Sequence, residues 1–167
     1  MPANRLDHVD RMLAAWSEVS PGVDVSDLAV AGRLLRCAAL LQQRIEAALR
    51  LLDLSFGDFD VLNTVRREGG QVGLHPKDLS AQALITTGAM TTRLDRLERN
   101  GLVVRVPDAE DGRSVRVRLT RVGRRRAERA LEAVLAVDRE FLAPLDPAAG
   151  RAVADALRRL LLAHDRA

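Results

Sequence analysis

Aromatic residues are nearly missing from this 167-residue chain, which has three Phe, one Trp and no Tyr. With apolar content at 47% and supplied by Ala, Leu and Val, that scarcity predicts a mainly helical protein. A single cysteine, Cys37, excludes an internal disulfide. No apolar run is long enough to span a bilayer and the N-terminus lacks a signal-like apolar core, so we expect a cytoplasmic protein with no membrane partner. The histidines, His8, His75 and His164, are dispersed and lie beside no cysteine or carboxylate cluster at ligand spacing, so no metal and no cofactor is expected. No Ser/His/Asp or Cys/His set, phosphate-cradling glycine loop or catalytic carboxylate pair stands out, and the chain is not expected to be an enzyme. Lysine is almost absent too. Lys77 is the one example, so positive charge rests on guanidinium groups, which favour bidentate contacts with phosphate or guanine.

That charge is concentrated. Between Arg93 and Arg129 lie 12 Arg against 6 acidic residues, a local +6; the net charge is +3, leaving −3 for the rest. Within the stretch, Met90, Leu94 and Leu97 recur at helical spacing behind a possible N-cap at Thr86, and Gly101 follows Asn100 as a left-handed stop. Leu102 to Val106 is β-prone and Pro107 to Arg113 is turn-rich. Val115, Val117 and Leu119 then alternate with Ser114, Arg116 and Arg118, predicting a hairpin with one apolar and one basic face. A short helix from Pro76 to Leu84 completes a helix-turn-helix, with the hairpin as its wing. Such a unit suits a helix in a major groove and a basic hairpin across phosphates; an ordinary solvated charged face has the same composition.

The flanking segments read as helices. Leu6, Val9, Leu13 and Trp16 form one stripe, ended by Ser20 to Gly22. From Ser26 to Leu52 a heptad seam runs through Ala31, Leu34, Ala38, Leu41, Ile45, Ala48 and Leu52. Ser55 and Asp58 make a capping-box variant for a helix to about Arg67, with Phe59, Leu62 and Val65 facing the core. After the wing, Thr120 caps a helix to about Leu142 with Leu131, Val134, Leu135 and Leu142 as its stripe, and Asp146-Pro147 starts a last one bearing Val153, Leu157, Leu160 and Leu161. The terminal helices have no sheet to cover them, which predicts an intertwined homodimer.

Two residues admit two readings each. Asp60 either points to solvent, which periodicity favours, or sits in a crevice with a cation. Cys37 is either a buried inert thiol, which its apolar neighbours favour, or a redox sensor in a setting supplied by Arg33, Arg36 and Arg44.

Taken together, Phe59-Asp60-Val61-Leu62, the helix GAMTTRLDRLERNGLV, the Pro107-Asp108 to Arg113 wing and Leu119-Thr120 through Gly123-Arg124 resemble the MarR family of winged-helix regulators over about residues 28 to 165. An extra N-terminal helix with Trp16, and Asp60 together with Arg93, look like its urate-responsive branch. The resemblance implies a mainly α fold with a small β-hairpin wing (α+β). Residues 1–54 would dimerise and form a ligand pocket, 55–120 would be the DNA-binding lobe, and 121–167 would add C-terminal dimerisation helices. It implies ligand-sensing roles for Trp16, Asp60 and Arg93, with Arg105 as an addition, and a small anionic aromatic effector such as urate. For a double-stranded DNA operator we assign Thr86, Thr87, Gly88, Thr91 and Thr92 to the recognition helix, Arg96 to the backbone, and Arg113, oriented by Asp111, to the minor groove, beside Arg116 on the basic face. Gly112 stands where family wings often carry a second arginine. The expectation is a ligand-responsive repressor; the alternatives are a winged-helix module that binds protein, or an oxidant sensor acting through Cys37.

Overall fold

The computed structural model describes residues 5–83, 90–112 and 114–164, and it divides into two compact units, Met1–Arg44 and Ile45–Ala167. In the first, α1 (His8–Val19) opens on a reciprocal capping box: Asp10 N donates to Asp7 and Asp7 N donates to Asp10, both at 2.9 Å. α2 (Leu28–Arg50) packs on α1 at Gly32, where an added Cβ would lie 3.3 Å from both Val9 methyls. Arg33 of α2 then pairs with Asp7, at 2.8 Å, and with Asp10. The Asp10 N–H and the Arg33 guanidinium together hold the Asp7 carboxyl below the usual range, while Asp10 and Asp7 raise Arg33. α2 stops at Arg50, short of the expected Leu52, because Asp53 adopts the left-handed region (φ 53°) and Leu54 N turns back to the Leu49 carbonyl at 3.1 Å.

Of the predicted α2 seam, Ile45 alone is buried, joined by Leu49, which the seam omitted. The long apolar edge before them is open. Cys37 is exposed on it, correcting the expectation of a buried thiol.

The second unit is built around α3 (Phe56–Glu68). Phe59, Leu62 and Val65 are buried as expected, but so are Gly57, Asp58, Asp60, Val61 and Thr64. A helix enclosed on several sides loses the one-sided pattern of a surface helix. Here α4 (Pro76–Gln82), α5 (Met90–Arg99), β2 (Val115–Leu119) and α6 (Arg121–Leu142) all contact α3. Asp60 is therefore 5% exposed, and its solvent-facing reading is wrong.

β1 (Val103–Pro107) and β2 form an antiparallel hairpin in register from Val103 opposite Leu119 to Pro107 opposite Val115. Leu74 joins as an isolated bridge, exchanging hydrogen bonds of 3.0 and 2.7 Å with Val117. The predicted alternation of faces holds at the centre, where Val117 is fully buried, but Val115 is 41% exposed and Arg116 is drawn part-way in. The hairpin projects beyond the body, so only its middle and base are covered.

α6 is capped by Thr120, which accepts from Gly123 N at 2.9 Å. Its buried face is Gly123, Ala127, Ala130 and Val134; of the expected stripe Val134 alone is buried, Leu131 is half-buried, and Leu135 and Leu142 are 48% and 49% exposed. Small residues let the axis come close: a Cβ on Gly123 would lie 1.8 Å from the Leu102 carbonyl oxygen. α7 (Pro147–His164) buries no residue at all. No helix among the described residues is long and apolar enough to cross a membrane.

Candidate nucleic-acid interface

α5 turns Met90, Leu94 and Leu97 into the unit and thereby presents Thr91 and Thr92, both exposed, on its first turn. Gly101, at φ 65°, ends it where a side chain would be strained. Thr86, Thr87, Gly88 and Arg113 lie outside the described residues. Asp111 is exposed in the wing, its carbonyl taking Ser114 N at 2.9 Å and Ser114 Oγ at 3.0 Å.

Carboxylates already position three of the arginines singled out from sequence. The Arg96 guanidinium bonds Asp58 of the α3 capping box and reaches Ser55 Oγ at 3.2 Å, tying α5 to the start of α3. Arg105 on β1 meets Asp95 at 2.6 Å and Glu98, and its own N–H donates to Glu98 at 2.9 Å. Burial opposes the Arg105 cation, but Asp95 and Glu98 outweigh it and raise its pKa. Arg116 Nε donates to Asp108 Oδ2 at 2.6 Å and Nη1 to the Gly73 carbonyl at 3.3 Å. These bonds tie α5 to α3, the wing to α5, and the wing to the residues before α4, so these arginines also hold the architecture.

Arg93 is different. Its guanidinium lies against Gly57, where an added Cβ would come within 2.4 Å of Cζ. Its Nε is buried and has no hydrogen-bond partner among the described residues. Gly57 and Asp60 are three residues apart, on one face of α3, so Arg93 and the buried carboxylate belong to the same side of that helix. Trp16 is 45% exposed on α1 in the other unit.

Asp108 and the role of His75 beside it were missed in the sequence. Asp108 is buried; one oxygen accepts Glu110 N at 2.8 Å, and the other accepts Arg116 Nε at 2.6 Å and lies 3.0 Å from His75 Nε2. The Glu110 N–H and the Arg116 cation keep its carboxyl below the usual range. His75 caps α4 by position but makes no side-chain cap bond; its ring instead spans from Asp108 to the Val115 carbonyl, 3.2 Å from Nδ1. Nothing in local periodicity joins residues 75, 108 and 116; only the hairpin register and the Leu74 bridge do.

A short helix with Pro at its start, a helix whose outer face carries hydroxyls, and a two-stranded wing stitched to both define a winged helix-turn-helix DNA-binding protein. Residues 52–114 match the family model described as MarR family. The chain is 32% identical over 136 residues to the HTH-type transcriptional regulator PecS of Dickeya dadantii (strain 3937), covering 81% of this chain and 82% of PecS. Among solved structures it is similar to the Mycobacterium tuberculosis MarR family protein Rv2887 in complex with DNA (TM-score 0.62, 32% identity, 78% of this chain and 95% of that one). It is likewise similar to Rv2887 in complex with salicylic acid (TM-score 0.60, 35% identity, 76% and 92%). The chain belongs to the MarR family of transcriptional regulators.

Proposed function

We propose that the protein is a homodimeric repressor that grips a pseudo-palindromic operator and releases it on binding a small anionic aromatic molecule, urate or another purine or an aromatic acid. Thr91 and Thr92, with Thr86, Thr87 and Gly88, read the major groove, and Arg113 with Asp111 serves the minor groove. Arg96, Arg105 and Arg116 act chiefly by fixing the helices and the wing. The ligand reading rests on the buried Arg93 Nε, a guanidinium N–H on the recognition helix itself that has no partner among the described residues. An anion satisfies that donor and is repelled by Asp60, on the same side of α3, so binding works against the packing of α3 on α5. A coupling of about 1–3 kcal/mol, roughly 5- to 150-fold in affinity, is enough for release. The salicylic acid complex of Rv2887 supports an aromatic acid as ligand class. The uncovered apolar side of α7, with Leu157, Leu160 and Leu161 outward, supports a second copy as its cover.

The test is a footprint of the adjacent promoter with and without urate, xanthine and salicylate. Protection of two half-sites about one helical turn apart, lost with one of these anions, is the expected result. A protein with no sequence-selective, salt-dependent binding overturns the proposal in favour of a protein-binding module. The exposure of Cys37 favours one further trigger, a thiol oxidant response; a Cys37→Ser variant that keeps its response to peroxide removes it.

A further inference from the structure

We infer that Asp108, His75 and Arg116 form a clamp that sets the wing against the N-terminus of α4, and that all three serve DNA binding as positioning residues and not as contacts. The inference rests on the wing meeting DNA. Residues 73–75 lead straight into α4, and this strap is joined to the hairpin at five points. Leu74 exchanges two backbone bonds with Val117, Arg116 Nη1 donates to Gly73, and the His75 ring reaches Val115 on one side and Asp108 on the other. Gly73 has φ 93°, and a Cβ there would sit 2.6 Å from the Val117 carbonyl oxygen, so the strap lies flat on β2 at a distance only glycine permits.

The two oxygens of Asp108 divide the work. Oδ1 holds the wing turn through Glu110 N, while Oδ2 gathers the Arg116 and His75 side chains, so the turn, the strand and the strap share one buried carboxylate. A buried acid so partnered is costly to leave half-satisfied, and the arrangement therefore has one geometry rather than several. Moving α4 carries His75 with it, and the wing turn follows.

Asp108→Asn separates this role from simple charge. Removing an acid next to a DNA surface, and freeing Arg116 to reach phosphate, strengthens binding and steepens its salt dependence if Arg116 is a contact. The clamp demands the reverse: operator affinity falls about 10-fold, the salt slope drops by about 1, and hydroxyl-radical protection at the outer, wing-side flanks fades while the major-groove core stays protected. His75→Gln, which leaves Asp108 and Arg116 paired, gives a smaller loss in the same direction and covers the case in which Asp108→Asn does not fold. Tighter binding, or unchanged flank protection in both variants, overturns the clamp. A wild-type footprint without wing-side protection overturns the DNA reading of the wing instead.

Discussion

Replacing Gly123 by Ala sets two ordinary effects against each other on one helix. Intrinsic propensity favours Ala in a helix by about 1 kcal/mol. The structure opposes it, because the new Cβ starts 1.8 Å from the Leu102 carbonyl oxygen, where contacts under 3.0 Å do not occur. The obstacle is backbone, at the link from the recognition helix to the wing, and no rotamer change removes it. α6 must back away by roughly 1.2 Å, which strains packing by about 1–3 kcal/mol and pulls on the Thr120 cap, whose Oγ1 donates to Gly101 O at 2.7 Å and accepts Gly123 N; loss of that cap costs about another 1 kcal/mol. The sum is a net loss of about 1–3 kcal/mol, or a fall in Tm of about 2–12 °C at equal protein concentration. Gly57→Ala is the contrast: the nearest atoms to its Cβ all belong to the Arg93 guanidinium, the far end of a flexible side chain, so Tm should move little while the ligand response changes. Thermal and urea unfolding followed by circular dichroism measure both. A Gly123→Ala protein as stable as wild type would refute the close-approach argument.

Asp60→Asn should leave operator affinity within about 3-fold and blunt ligand release by at least 10-fold in a fluorescence anisotropy titration, since the repelling charge is gone while the shape remains; an unaltered ligand response removes Asp60 from sensing. Asp58→Ala deletes the acceptor of Ser55 N, Ser55 Oγ and Arg96 together and should cost about 2–4 kcal/mol in urea unfolding, against about 1 kcal/mol or less for Arg96→Ala, whose partner keeps its Ser55 bonds. The pH dependence of Asp108 has a definite sign. Its folded carboxyl is depressed, so the stabilisation is complete above the ordinary carboxylate range near pH 4 and is lost as pH falls through the folded value. Asp108→Asn should flatten the acid limb of Tm against pH, and a parallel limb would contradict the pairing. Leu157→Glu with Leu160→Glu should shift sedimentation toward monomer; an unshifted profile places any interface elsewhere.

Several helices were legible because they begin with a local device, such as the Ser55 and Asp58 box or the Thr120 cap, or end with one, such as Gly101. The Met90, Leu94 and Leu97 stripe likewise sufficed to orient the recognition helix. What periodicity hid was enclosure. Asp60 read as outward because one face of α3 was assumed wet, and the α6 stripe was right only at Val134 because the rest of its buried face is Gly123, Ala127 and Ala130, residues that carry little hydrophobic signal. The arginines looked alike as charge, yet three of them end on Asp58, Asp95 and Glu98, or Asp108, through pairings set by tertiary structure. His75 and Asp108 gave no signal at all, being 33 residues apart and joined only when the hairpin closes.

An 18-residue helix with no buried side chain is marginal by itself, and α7 is such a helix. On the proposed dimer, part of what keeps the chain ordered is lodged outside it, in the second copy over that last segment. Dilution should fray the C-terminal end before anything else and expose it to proteases, so the cellular copy number becomes a factor in the survival of each molecule.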